Sequence, residues 1–269
     1  MGDFRPVESF SGELREDENV IAAFEKASEE ILIDYHPVAG KKYELRVHVP
    51  GYGKVKASTH VPLPPRADAI YTGERWAGRY DLYHHFNITS ISPQEPGRAV
   101  WITAYSQYDD GSILGPSSEL YCNNGFIDQI NGVRDDMDAM ARGSNIGYEK
   151  FIRVPFKNIG RTGDISFSFD ASEKQSLMPP YPLPDDWDCS QLEELPLKYL
   201  YVSVIAPSDD YDRYFRSLYK QELYNYDPDM PLFDETVNVY SNVENGLGIF
   251  AGYSTSTYTH KYEQKEGRE

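Results

Sequence analysis

Positive charge is scarce in this chain. Its 26 Lys and Arg residues stand against 43 Asp and Glu, a formal net charge of −17. A nucleic-acid partner calls for a basic footprint, so no nucleic acid is expected; the acidic surface serves solubility in the first instance. Cysteine is scarce too, with only Cys122 and Cys189, too few to fix a compartment. Paired, they would close a long loop and stabilise the fold by roughly 4 kcal/mol in the chain-entropy view; unpaired, they are small core residues. No apolar run approaches the roughly 18 residues that a membrane span needs. Met1-Gly2 leads directly into polar sequence, so no signal peptide is visible, and the chain reads as cytosolic or as trimmed to its mature part. H-E-x-x-H and G-x-S-x-G are both missing, as is a calcium loop of the D-x-[DN]-x-[DN]-G type. No cofactor, metal or catalytic residue is therefore assigned.

What the chain does have is aromatic and β-branched sequence cut into short segments. Aromatics make up 14% and apolar residues 40%, punctuated by 18 Pro and 20 Gly, a composition that supports a packed core. Period-2 alternation recurs. Tyr43, Leu45, Val47 and Val49 alternate with polar residues, Pro50-Gly51 turns the chain, and Val55, Ala57, Thr59 and Val61 alternate again, which predicts a hairpin with one buried face. Further strands are expected over 7–14, 20–24, 31–35, 69–72, 80–89, 98–108, 151–156, 164–170 and 199–206. The segment 22–27 also suits a short helix. Val61-Pro-Leu-Pro-Pro65 favours a stiff extended linker. The expected division is a partial β-sandwich unit over 1–66, incomplete and Ig-like or prealbumin-like, followed by a β-rich domain over 67–269. The fold class is mainly β, a β-sandwich with one or two short helices.

Two helices are expected. One spans 133–142, closed by Gly143. The other runs over 208–224, with Ser208 as N-cap and Asp209-Asp210 at the positive end of the dipole. Tyr211, Tyr214, Phe215, Leu218, Tyr219 and Leu223 make one aromatic stripe on it, a core face before it is a ligand platform. The His84-His85 pair invites a metal reading, but adjacent strand residues point to opposite faces and cannot share one ion; His84 falls on the apolar face and reads as a core histidine. Asn87-Ile-Thr89 fits a glycosylation sequon.

The densest run of backbone signals is 240–254. Gly246-Leu-Gly248-Ile-Phe-Ala251 fits G-x-G-x-x-G/A, yet the Tyr-, Ser- and Thr-rich sequence after it leaves no room for a βαβ unit. A dinucleotide site is set aside. Asn245-Gly246 suits a type I′ turn between strands over 236–240 and 247–253, the second spaced by glycines for close packing. On that reading Gly248→Val overpacks a core.

Three of these segments together resemble a family, the domain of unknown function numbered 4249. They are Gly40-Lys-Lys-Tyr43-Glu-Leu45-Arg-Val47 with Pro50-Gly51-Tyr52 and Ala57-Ser-Thr59-His-Val-Pro62; Tyr211-Asp-Arg-Tyr214-Phe215-Arg-Ser-Leu218; and Ser241-Asn242-Val243-Glu244-Asn245-Gly246-Leu247-Gly248-Ile249-Phe250 with Gly252-Tyr253. Ala251 stands where the family pattern often has glycine. The family's lipid-bearing cysteine and the leading strands of its N-terminal domain are not found in the chain, which accords with a trimmed first unit.

The resemblance implies an outer-membrane lipoprotein of the bacterial envelope, held to the membrane only by a lipid anchor that this chain lacks and often encoded near TonB-dependent uptake receptors. It brings no catalytic residues. The motif residues Tyr211, Tyr214, Asn242, Glu244, Asn245, Gly246, Gly248, Phe250 and Gly252 are expected to be structural. The functional expectation is a non-enzymatic accessory or ligand-binding lipoprotein, its ligand a glycan or peptide met by aromatics such as Trp76 and Trp187. An adhesive or structural surface module is the first alternative and a hydrolase the second.

Overall fold

The computed structural model describes residues 9–26, 31–77, 81–92, 95, 99–114, 120–122, 151–154, 165–171, 174–177, 193–226 and 238–263. The expected 133–142 helix, Cys189, Trp187 and most of the proline-rich 176–188 loop lie outside them. The chain is mainly β and forms two compact units. One comprises 1–64, 93–99 and 206–254; the other comprises 65–92, 100–205 and 255–269.

The first unit holds a five-stranded antiparallel sheet. β1 (Phe10–Glu16) and β2 (Asn19–Lys26) form a hairpin, turned at Asp17 with φ 50°. The β reading of 20–24 therefore prevails over the helical one. β3 (Lys42–Val49) and β4 (Gly53–His60) form the predicted hairpin, its turn built on Gly51 and Gly53 at φ 82° and 98°. One expectation fails. Residues 31–35 join no strand, and Leu32 stands 88% exposed. Tyr35 instead reaches back to Glu16: its hydroxyl and that of Tyr43 (2.8 Å) both donate to Glu16 Oε2. The tyrosine bonds, that of Tyr35 foremost, hold the Glu16 carboxyl below its ordinary range.

The second unit is a sandwich. β5 (Arg66–Ala77), β6 (Asp81–Ser92), β9 (Leu120–Cys122) and β11 (Ile165–Asp170) form one sheet. β7 (Val100–Tyr108), β8 (Ile113–Leu114), β10 (Ile152–Val154), β12 (Lys174–Leu177), β13 (Glu193–Pro207) and β15 (Tyr253–Lys261) form the other. Trp76 lies in β5 and Cys122 in β9. Between the sheets, Phe86, Ile88 and Phe169 meet Ile102, Ala104, Leu200, Val202 and Val204 in one core. The alternation read in β6, β7 and β13 is the alternation the core uses.

His84 sits inside that core, fully buried. Its Nε2 lies 3.0 Å from the Ala171 carbonyl oxygen, which can only accept, so Nδ1 is the acceptor for the Tyr71 hydroxyl at 3.2 Å. Burial pushes its pKa down to about 4. His260 stacks on Tyr71 with centroids 4.0 Å apart, and Tyr262 packs edge-on to His84 while its hydroxyl donates to Glu74 at 3.0 Å.

The return of the chain to the first unit corrects the expected 1–66 and 67–269 division. A short strand, β14 (Val243–Glu244), pairs with β4 through Val243↔Ala57 and Glu244↔Lys56. The 240–254 stretch thus completes the first sheet rather than closing the second domain. The helix α1 (Asp209–Tyr226) belongs to the first unit with it. Sequence order favoured assigning both to the nearest β-rich segment; the hydrogen bonds of β4's open edge decide otherwise.

Candidate functional site

The site begins where β13 runs into α1. Ser208, 1% exposed, caps the helix: its Oγ accepts from Tyr211 N at 3.3 Å and its carbonyl from Asp212 N at 3.0 Å. Asp209, Asp210 and Asp212 occupy the first turn, as the dipole favours. The same serine holds the distal end of the motif loop. Its N–H donates to the Gly252 carbonyl at 2.9 Å, and Gly252 N approaches its Oγ at 3.5 Å.

On α1, Phe215 is the buried one among the stripe's described side chains, with Tyr211 and Tyr214 packed edge-on to it at 4.8 and 5.7 Å. Tyr211 also stacks on Tyr253 at 6.0 Å. For Tyr219 and Leu223 only the backbone is described. Tyr240 fastens the near end of the loop: its hydroxyl donates to Asp210 Oδ1 at 2.5 Å and its N–H to Ser217 Oγ at 2.7 Å.

Between these anchors the chain is irregular apart from β14, and here the sequence reading is corrected. Residues 238–240 and 247–252 form no strand. At the turn, Asn245 has φ 60°, but Gly246 is not left-handed, so the type I′ turn does not form. Polar side chains of the motif take the place of a ladder. Asn242 Nδ2 donates to the Phe250 carbonyl at 2.7 Å, and its Oδ1 accepts from Phe250 N at 2.9 Å, so one side-chain amide pairs with a peptide as a neighbouring strand would. Asn242 Nδ2 also reaches the Ser58 carbonyl on β4 at 3.2 Å. Ser241 Oγ accepts from Val243 N at 3.3 Å and Gly248 N at 3.2 Å, and Asn245 Nδ2 donates to the Lys54 carbonyl at 3.2 Å.

The glycines divide the labour. Gly248 has φ +142°, a region that side chains rarely adopt, while an added Cβ would lie 3.8 Å from Val243 Cγ2. Its requirement is backbone conformation, not the packing expected from sequence. Gly252 is the crowded one, since a Cβ there would come within 2.8 Å of Val61 Cγ2. At Gly246 the added atom would press on Val243 Cγ1 at 3.0 Å and Val55 Cγ1 at 3.4 Å.

The loop's tip faces water. Glu244, Asn245, Gly246 and Gly248 are exposed, and Leu247 is 93% exposed. Beside it, a cavity of 680 Å³ opens across β1–β4, lined by residues 11–13, 23–25, 46–48 and 54–56. Its charges are partly laced together: Lys56 Nζ meets Glu44 at 2.7 Å, and Arg46 bonds Glu44 and lies 3.6 Å from Glu13. Among the described residues neither Lys54 nor His48 has an ion pair. Nor do any three His, Cys, Asp or Glu side chains there converge as a metal ion would require.

Of the nine motif residues, the structure gathers Asn242, Glu244, Asn245, Gly246, Gly248, Phe250 and Gly252 into this one loop and puts Tyr211 against its distal end; Tyr214 packs on Phe215. Ser241, Ser208, Ser217 and Tyr240 carry as much of the construction and were not singled out as sites. Only the capping role of Ser208 had a local signal.

Residues 12–259 match the family model described as Domain of unknown function (DUF4249). No curated protein and no solved structure matches the chain.

Proposed function

The chain belongs to the DUF4249 family, and from that premise we propose that it is a non-enzymatic binding protein of the bacterial envelope, an accessory of an outer-membrane, TonB-dependent uptake receptor. One observation carries the binding half of this reading. The motif spends its polar groups on backbone: Ser241, Asn242 and Asn245 bond peptide N–H and C=O groups, while Leu247 is left in water. A reaction centre keeps its polar groups for substrate; a display scaffold uses them to fix a loop before a partner arrives. The cavity across β1–β4, with mixed charges at its rim, provides room for a polar ligand such as a glycan or peptide. The envelope location, the lipid anchor and the receptor come from the family resemblance.

The direct experiment is to look for a TonB-dependent receptor gene beside the gene for this protein, purify the encoded receptor from outer membranes and ask whether the protein comes with it. Co-purification in stoichiometric amount supports the reading. A receptor that is free of it, together with fractionation of the protein to the cytosol, contradicts it.

A further inference from the structure

We infer that the cavity across β1–β4 is a trough for a short peptide held by its two free ends, the amino terminus at Glu25 on β2 and the carboxylate at Lys54 on β4. This rests on the reading of the cavity above as a site for a polar ligand, and it chooses a peptide over a glycan.

The strand register builds the trough. Its lining is one row of residues across the sheet, Phe24, Gly12, Val47 and Val55, with the residue on either side of each. Those four are successive register partners, and in a strand the flanking residues point to the face opposite their own side chains. The four therefore form the floor and their neighbours form two walls, about 7 Å apart, the span of two residues along a strand. That width admits a single extended chain.

The walls differ in what their side chains do. On one, Glu13, Arg46 and Lys56 are spent: Arg15 Nη1 donates to Glu13 at 2.9 Å, Arg46 lies 3.6 Å from Glu13 and bonds Glu44, and Lys56 meets Glu44 at 2.7 Å. Glu244 stands in register with Lys56, at the end of this same wall. The other wall is Glu25, Ser11, His48 and Lys54, again successive register partners. Among the described residues, none of these four side chains has a hydrogen bond or an ion pair.

The open wall has one carboxylate and one ammonium, at its two ends. They stand on the first and last of four adjacent strands, three spacings and so about 14 Å apart at the backbone, on side chains long enough to lean over the trough. Three extended residues measure about 10 Å and carry an ammonium at one end and a carboxylate at the other. Such a peptide sets each terminus against its opposite charge, with Ser11 and His48 beside its N–H and C=O groups. A neutral glycan leaves both charges unmet, and an acidic one sets like charge against Glu25.

The test titrates trialanine, its N-acetylated, C-amidated and doubly blocked forms, and maltotriose as a neutral glycan into the full chain, followed by NMR at low ionic strength, where exposed charge pairs are least screened. Trialanine should bind, each single block should weaken it about fivefold, and maltotriose should bind no better than the doubly blocked peptide. Glu25→Gln should erase the preference for a free amino terminus and keep that for a free carboxylate; Lys54→Gln should do the reverse. Both change exposed side chains and should melt like the parent protein. Free and blocked peptides that bind alike, or preferences that survive in the variants, would overturn the inference. Maltotriose binding where trialanine does not overturns it too and leaves the ligand-binding reading intact. A chain that binds neither removes the trough as a site, and co-purification with the receptor still decides the accessory reading.

Discussion

Asn242 and Phe250 exchange two hydrogen bonds, side-chain amide to main-chain amide, across eight residues of loop. The same Asn242 nitrogen also reaches the Ser58 carbonyl of β4, so one side chain ties three segments. Asn242→Asp keeps the size and removes both donors, setting a carboxylate against two carbonyl oxygens. The expected loss is roughly 1–3 kcal/mol, measured by urea denaturation at neutral pH. A variant as stable as the parent would show that the clamp contributes nothing.

Gly248 and Gly252 should fail for different reasons. Gly248→Ala strains the backbone at φ +142° and should cost about 1–3 kcal/mol, with no relief from Val243→Ala. Gly252→Ala collides with Val61, a packing fault that commonly costs about 1–3 kcal/mol, and Val61→Ala in the same chain should recover part of it. Thermal melts of the two double-mutant cycles distinguish these cases; coupling at Gly248–Val243 rather than Gly252–Val61 would reverse the assignment.

These residues mark the limit of what the sequence discloses. The sandwich of the second unit was legible because Leu82, His84, Phe86 and Ile88 alternate, and an alternating face has one way to be buried. The capped helix was legible because Ser208 and the aspartates after it are local signals. The loop at 247–252 was misread as a strand because alternating glycines and apolar residues imitate period 2, while the bonds that replace the ladder come from Ser241 and Asn242, which lie up to eight residues away in sequence. The placement of β14 beside β4 depends on a sheet edge about 190 residues earlier, a pairing no local pattern encodes. The exposure of Leu247 was invisible for a related reason: it follows from the loop conformation, not from leucine.

His84 should make the second unit acid-sensitive. Its folded pKa of about 4 lies below the ordinary 6.5, mainly through burial; the hydrogen bond to Ala171 and then Glu74 pull it back up, and His260 and His85 add to the depression. The unfolded chain therefore binds the extra proton more readily. The neutral imidazole's full contribution is present above about 6.5 and is lost as pH falls toward about 4, roughly 3 kcal/mol across the window. His84→Gln should be less stable at neutral pH and show a flatter decline between those limits. Parallel pH profiles of melting temperature for the two proteins would count against a titrating His84.

Ser208→Ala removes a helix cap and should cost about 1 kcal/mol from that role alone. Its Oγ also lies beside Gly252 N, so the change should loosen the loop's distal end as well. Circular dichroism melts give the first effect, and faster exchange of the Gly252 amide gives the second. An unaltered melting curve would mean that the aspartates of the first turn suffice.

The account stands on the motif loop being held by its own polar side chains, and amide hydrogen exchange at Phe250 addresses that directly. Residue 250 lies in no helix or strand, so an unsupported loop would exchange near the unprotected rate. The Asn242 clamp predicts a protected amide that loses its protection in Asn242→Ala while β3 and β4 keep theirs. Unprotected exchange at Phe250 in the parent protein, or protection that survives Asn242→Ala, would contradict it.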